Sequence, residues 1–162
     1  MVRQVNLFTE KPPYKYIIDS SSVFSQKDNE PHPRAVYRGL WNRIEELMQD
    51  KVIVTVSEIV DEIRDKDLET WLHNHRCIVL PVNDAIQQNV TRVVTKNPRL
   101  VDFKQAKSSA DAFLIATAMV YGLIIITEEN RDSPYKIPKV AESLGVKAID
   151  INELCLIEGW HF

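Results

Sequence analysis

Acidic side chains stand where a folded α/β chain could gather them: Asp19, Glu62, Asp111 and one of Glu128, Glu129 or Asp132. Two carboxylates about 4 Å apart at an effective dielectric near ~20 repel by about 4 kcal/mol, so four that converge must hold cations or protons. Convergence therefore implies a divalent-metal site, because hard carboxylate oxygens match Mg²⁺ and Mn²⁺.

Each acid also has an ordinary structural reading. Asp19 follows the apolar run Tyr14 to Ile18 and could cap the next helix, with Ser20 to Ser22 beside it. Asp111 could be the acidic member of a capping arrangement opened by Ser108. A carboxylate there is also stabilised by the helix dipole, so capping and metal ligation are compatible. On a helix after Thr55, a turn of about 100° per residue puts Val56, Ile59, Val60 and Ile63 on one stripe. Glu62 borders that stripe, whereas Glu58 and Asp61 lie nearer the solvent pole, so Glu62 is the acid best placed to reach inward. Periodicity does not separate Glu128, Glu129 and Asp132.

The elements that would position these acids alternate between strand and helix. Strand signals fall at Tyr14–Ile18, Lys51–Val54, Ile78–Leu80, Leu123–Ile126 and Val146–Ile149, the fourth being an unbroken apolar run suited to a covered parallel sheet. Between Pro33 and Asp50, Val36, Leu40, Ile44 and Leu47 recur at helical spacing, which predicts an amphipathic helix of about four to five turns with Trp41 beside the stripe. Thr55 with Glu58 reads as a capping box for a helix running to about Lys66, and a short helix follows near Leu68 to Asn74. Asp84 can cap a helix to Lys96, which Asn97-Pro98 ends. Ser109 to Tyr121 is apolar on nearly every side and should be a buried helix closed by Gly122. A short helix closes at Gly145, and Asp150 with Glu153 caps the last one. This alternation predicts an α/β fold, three-layer α/β/α with a mainly parallel central sheet.

Length and composition narrow the classes. A chain of 162 residues without repeats reads as one domain, with residues 1–13 a flexible N-terminal segment. No stretch has the ~18 apolar residues of a membrane span, and no export signal opens the chain, so a cytoplasmic location is expected. Two cysteines, Cys77 and Cys155, are too few for a disulfide scaffold and should be free thiols. The net charge of −3 argues against a general polyanion coat, but Arg92, Lys96, Arg99, Lys104 and Lys107 could form a local phosphate-contacting edge. Four unclustered glycines exclude a Walker or Rossmann phosphate loop, and no nucleophile elbow surrounds a serine. His73, His75 and Cys77 alternate as strand-borne zinc ligands would, but no fourth ligand accompanies them. Asp19 as a phosphotransferase nucleophile would need a second Asp two residues on, where Ser21 stands.

Tyr16-Ile17-Ile18-Asp19-Ser20-Ser21, Val60-Asp61-Glu62-Ile63, Ala110-Asp111-Ala112-Phe113-Leu114-Ile115-Ala116-Thr117-Ala118 and Ile126-Thr127-Glu128-Glu129 resemble, in order and spacing, the motifs of PIN-domain nucleases. The resemblance covers most of the chain, and its most specific piece is the helix opened by Asp111. It implies that Asp19, Glu62, Asp111 and Glu129 bind Mg²⁺ or Mn²⁺ and cut RNA, as in VapC-type toxins. The last motif usually carries Asp where Glu129 stands, so this ligand reaches one methylene further. The tail from Lys136 to Phe162 resembles an uncharacterised PIN-like branch. The family implies an RNA substrate, an antitoxin partner whose segment shields the acidic pocket, and a homodimer. Ser20, Thr127 and Ser109 would orient ligands or water through their hydroxyls, with Lys104 and Lys107 meeting substrate phosphates. The alternative is a PIN-like module without the nuclease reaction that binds RNA or a protein.

Overall fold

The computed structural model describes residues 12–100 and 110–162. Its centre is a five-stranded sheet in which every pairing is parallel, in the order β3-β2-β1-β4-β5, formed by β1 (Tyr16–Ile18), β2 (Ile53–Val56), β3 (Ile78–Leu80), β4 (Ile124–Ile126) and β5 (Ala148–Ile149). Helices cover both faces, which is why β1 and β2 are buried along their whole length and, Thr55 excepted, apolar. The fold is the expected three-layer α/β/α arrangement.

The chain runs outward from β1 through β2 to β3, then returns to the other side of β1 for β4 and β5. The order therefore reverses between β1 and β4, and ligands of open α/β sheets bind at such a reversal, beyond the carboxyl ends of the strands. Ile17 pairs with Ile125 and Ile18 with Ile126, and the Asp19 N–H donates to the Ile126 carbonyl at 2.9 Å. This register sets Asp19 beside Thr127 where the two strands end.

Among the described residues the helices are α1 (Ser20–Phe24), α2 (Arg38–Gln49), α3 (Ser57–Glu62), α4 (Lys66–Asn74), α5 (Asp84–Lys96), α6 (Ala110–Tyr121), α7 (Ile137–Ser143) and α8 (Ile151–Glu158), with a 3-10 turn at Pro98–Leu100. Helix α6 is buried nearly throughout and packs on α5, α3, β2 and β4, as its all-round apolar pattern requires. Gly122 ends it at φ +68°, a left-handed conformation that a side chain would strain. Asp150 and Glu153 form the expected capping box on α8. Both cysteines are free, and burial pushes the Cys77 thiol up to about 12, so it is inert at neutral pH.

Several local expectations are corrected. Helix α2 begins only at Arg38, and its buried stripe is Leu40, Trp41, Ile44 and Met48; Val36 is exposed, and Leu47 is only partly covered. Pro33 instead anchors a turn, its carbonyl accepting the N–H groups of Val36 and Tyr37. Thr55 caps no helix: it lies inside β2, buried, and donates its hydroxyl to the Ile18 carbonyl at 3.0 Å. Helix α3 starts after Val56 without a side-chain cap, so Glu58 has no capping role. Asn83, one residue before Asp84, caps α5 by accepting the Ile86 N–H at 2.9 Å. β3 is an edge strand with Val79 exposed, rather than a buried one. His73 lies on α4 and Cys77 precedes β3, so the alternating His-His-Cys set shares no strand face. Among the described residues, no helix is long and apolar enough to cross a membrane.

Candidate active site

A cavity of about 470 Å³ opens at the carboxyl ends of β1 and β4, and its lining includes Asp19, Glu62, Asp111 and Glu129. Four separate elements deliver these acids. Asp19 ends β1, Glu62 is the last residue of α3, Asp111 lies in the first turn of α6, and Glu129 stands three residues beyond β4.

Asp19 is 1 % exposed and its carboxylate makes no capping bond to α1. Its Oδ2 accepts the Ser21 hydroxyl at 2.7 Å and the Thr127 hydroxyl at 2.9 Å, and these hydroxyls lie 3.2 Å from one another. Thr127 is itself fixed, since its N–H donates to the Ile149 carbonyl and its Oγ1 accepts the Glu129 N–H. Glu62, at the solvent-facing side, accepts the Ser20 hydroxyl at 2.9 Å through Oε2. Thus the hydroxyls of Ser20 and Thr127 are directed at the acids. Lys104, Lys107, Ser108 and Ser109 lie outside the described residues.

The adjacent glutamates after β4 diverge. Glu128 accepts the Ile151 N–H at 3.0 Å at the start of α8, whereas Glu129 lines the cavity while its Oε1 accepts the Ile137 N–H at 3.2 Å at the start of α7. Asp132 is exposed and does not line the cavity. Long-range packing separates these acids; periodicity carries no trace of it, and only the motif resemblance pointed to Glu129. Sequence reasoning also missed the roles of Tyr135 and Lys136, which line the same cavity beside Arg99 and Leu100. Of the basic stretch named from the sequence, Arg99 alone among the described residues reaches it; Lys96 donates instead to the Ser143 carbonyl and Arg92 to Asn89.

All four carboxyls are pushed up from their ordinary range, and burial is the largest cause for each. Asp111 reaches about 8, through burial first and then the charges of Glu129, Asp19 and Glu62, with Lys136 opposing them. For Asp19 the Ser21 and Thr127 hydroxyls pull the other way but do not outweigh burial. Among the described residues the cavity lining carries more acids than Lys136 and Arg99 offset, which favours uptake of protons or cations. Among the described residues, no three such side chains stand close enough to form a finished metal cage. The donor set nonetheless fits a hard divalent ion: oxygen donors only, supplied by four elements, with Asp19 held by hydroxyls behind it.

The fold is similar to that of VapBC-1 from nontypeable Haemophilus influenzae, at 14% identity and a TM-score of 0.55 over 85% of this chain and 98% of that one. It is also similar to VapBC2 from Rickettsia felis bound to a DNA fragment from their promoter, at 15% identity and a TM-score of 0.52 over 83% and 97% of the two chains. FitAcB from Neisseria gonorrhoeae gives 13% identity and a TM-score of 0.51 over 84% and 97%. Identities this low establish the fold alone, and it is the PIN-like fold that the sequence motifs imply. No functionally curated sequence matches the chain. Over residues 16–162 the sequence matches the family described as a domain of unknown function, DUF4411, and the chain belongs to that family.

Proposed function

We propose that the chain is a metal-dependent ribonuclease, the toxin component of a toxin–antitoxin pair, with Asp19, Glu62, Asp111 and Glu129 as its metal ligands. The observation that carries this reading is the delivery of four carboxylates, from four elements, to one cavity at the reversal point of a parallel sheet. The fold likeness to VapBC and FitAB assemblies supports the toxin–antitoxin part.

A bound Mg²⁺ or Mn²⁺ would neutralise the scissile phosphate and lower the pKa of an attacking water. Around it, the chain's own groups divide the work. Asp19 and Asp111, the most buried of the four, would hold the ion at the inner end of the cavity. Glu62 and Glu129 complete the set from the two sides. Ser21 and Thr127 orient the Asp19 carboxylate, and Ser20 orients Glu62. Lys136 and Arg99 draw the substrate's phosphates to a cavity that would otherwise repel them. An antitoxin segment with a cationic side chain could neutralise the same acids and so block the site.

The test is cleavage of a mixed RNA pool by the pure protein with Mg²⁺, Mn²⁺ or EDTA, beside Asp19→Asn and Asp111→Asn. Cleavage that needs the metal and both aspartates establishes the nuclease. Absence of cleavage by a folded protein that also binds no metal would replace this reading with that of a binding module.

A further inference from the structure

Arg99, Leu100 and Tyr135 line two cavities: the acidic one and a second, of about 180 Å³, that continues along Lys96, Asn97, Pro98, Pro134 and Val140. The guanidinium carbon of Arg99 sits 4.3 Å from the centre of the Tyr135 ring, over its face. Tyr135 is 51% exposed, so this pair forms an accessible wall between the two cavities and no part of the core. Neither its position nor its exposure is explained by packing.

The lining of the smaller cavity changes character away from that wall. Pro98, Leu100, Pro134 and Val140 are apolar and stiff or branched, while the amide of Asn97 supplies a donor and an acceptor at one side. Asn97 donates to the Val93 carbonyl at 3.4 Å through Nδ2, and its Oδ1 makes no hydrogen bond among the described residues. A small cavity with an apolar stretch, a planar cation stacked on an aromatic ring, and one amide edge together suit a flat heterocycle better than a phosphate or an aliphatic chain. Arg99 on the shared wall and Lys136 in the acidic cavity favour a ligand that is anionic next to the heterocycle.

We infer that the smaller cavity is a subsite for one unpaired nucleobase of an RNA strand whose phosphate lies at the four acids. The base stacks on the Arg99–Tyr135 pair. Because the two cavities share this wall, base and phosphate belong to the same or neighbouring nucleotides. The inference rests on the proposed nuclease reading for the class of ligand and adds to it a requirement for unpaired RNA at the cut.

Binding is measured by fluorescence anisotropy on the full chain carrying Asp111→Asn, in Mg²⁺, so that the strand stays intact. The probes are a labelled hexauridylate and a strand of equal length and charge without bases. The expected result is a preference for the base-bearing strand of about 5- to 150-fold, the range that stacking one base on an aromatic side chain gives. Adding Tyr135→Ala should remove that preference and leave the affinity for the abasic strand unchanged, whereas Tyr135→Phe should keep it. Equal binding of both strands, or equal weakening of both by Tyr135→Ala, overturns the subsite. If wild-type protein then still cleaves RNA, only the subsite has failed. If the base preference holds but the wild type cleaves nothing, the subsite stands and the nuclease reading has failed. Binding of neither strand overturns the subsite, and the nuclease reading is then decided by cleavage and metal binding of the wild-type protein.

Discussion

Two regions of this molecule hold partly buried carboxylates, and they treat them in opposite ways. Glu45 on α2 is surrounded by donors: the Arg34 guanidinium and the Trp71 indole N–H each lie 2.6 Å from its Oε2, and the His75 ring 3.4 Å away. Trp41 and Trp71 stack edge to face alongside, with Arg34 over both rings. In the acidic cavity four carboxylates line one space, hydroxyls hold Asp19 and Glu62, and the described lining carries two cations, Lys136 and Arg99. The difference teaches that burial of a charge does not identify a site. Glu45 has its partners within the fold, so its role is to fasten α2 to α4, whereas the cavity acids are short of positive charge among the described residues and remain able to take a ligand.

The sharpest break of this comparison is activity. Asp19→Asn and Asp111→Asn are expected to lower metal-dependent RNA cleavage by about 100-fold or more, because each removes a charged ligand. Glu45→Gln should leave the rate per folded molecule unchanged. The same variants should exchange places in stability. Glu45→Gln is expected to cost about 2–3 kcal/mol in a urea titration, since it weakens charge-assisted bonds to Arg34 and Trp71. In EDTA at pH 8, Asp111→Asn should melt several degrees higher than wild type, because it removes one of the repelling charges.

Metal and pH should act on the cavity alone. Mn²⁺ at about 100 times its dissociation constant is expected to stabilise wild type by about 2.7 kcal/mol. Asp111→Asn should respond less, and Glu45→Gln fully. In EDTA the native state keeps protons on the cavity acids that the unfolded chain has already lost, since each is pushed up and Asp111 reaches about 8. Stability from these groups is therefore complete below about pH 4 and declines as pH rises through about 8. Metal-free protein should melt several degrees lower at pH 8.5 than at pH 5, at roughly 2–4 °C per kcal/mol for a domain of this size. A flat melting profile between those pH values would contradict the crowding of the acids. The smallest effect lies outside both regions: Asn83→Ala should cost about 1 kcal/mol through loss of the α5 cap, with no change in cleavage.

Most of the fold was legible because its strands are short apolar runs and its helices have one covered stripe, or, in α6, cover on every side. Thr55 misled because the pattern of a capping box is local, whereas its real partner, the Ile18 carbonyl, is a neighbouring strand's. Val36 misled because it continues a helical spacing past the point where the Pro33 turn has already redirected the chain. At the cavity, the order of the motifs pointed to Asp19, Glu62 and Asp111, since each sits at or near an element end. Periodicity left Glu128, Glu129 and Asp132 open and only the motif resemblance singled out Glu129; the physical reason for their divergence, the positions of α7 and α8, is encoded by no spacing. Arg99 looked like one of a row of solvated cations. Its pairing with Tyr135 joins segments 36 residues apart in the chain, so nothing in either segment announces it.

The divergence of Glu128 and Glu129 makes the length of the turn after β4 count residue by residue. Thr127 is fixed by its register with β5 and by its bond to Asp19, while the next two side chains reach the first amides of α8 and α7 respectively. Inserting one residue between Thr127 and Glu128 would move both glutamates past their amides, detaching two helices and withdrawing an acid from the cavity at once. The exposed stretch Asn130–Asp132 reaches no helix amide among the described residues, and its Arg131 makes surface ion pairs with Asp150 and Glu153. Variation in loop length among natural relatives should therefore collect after Glu129 and stay out of the three positions before it.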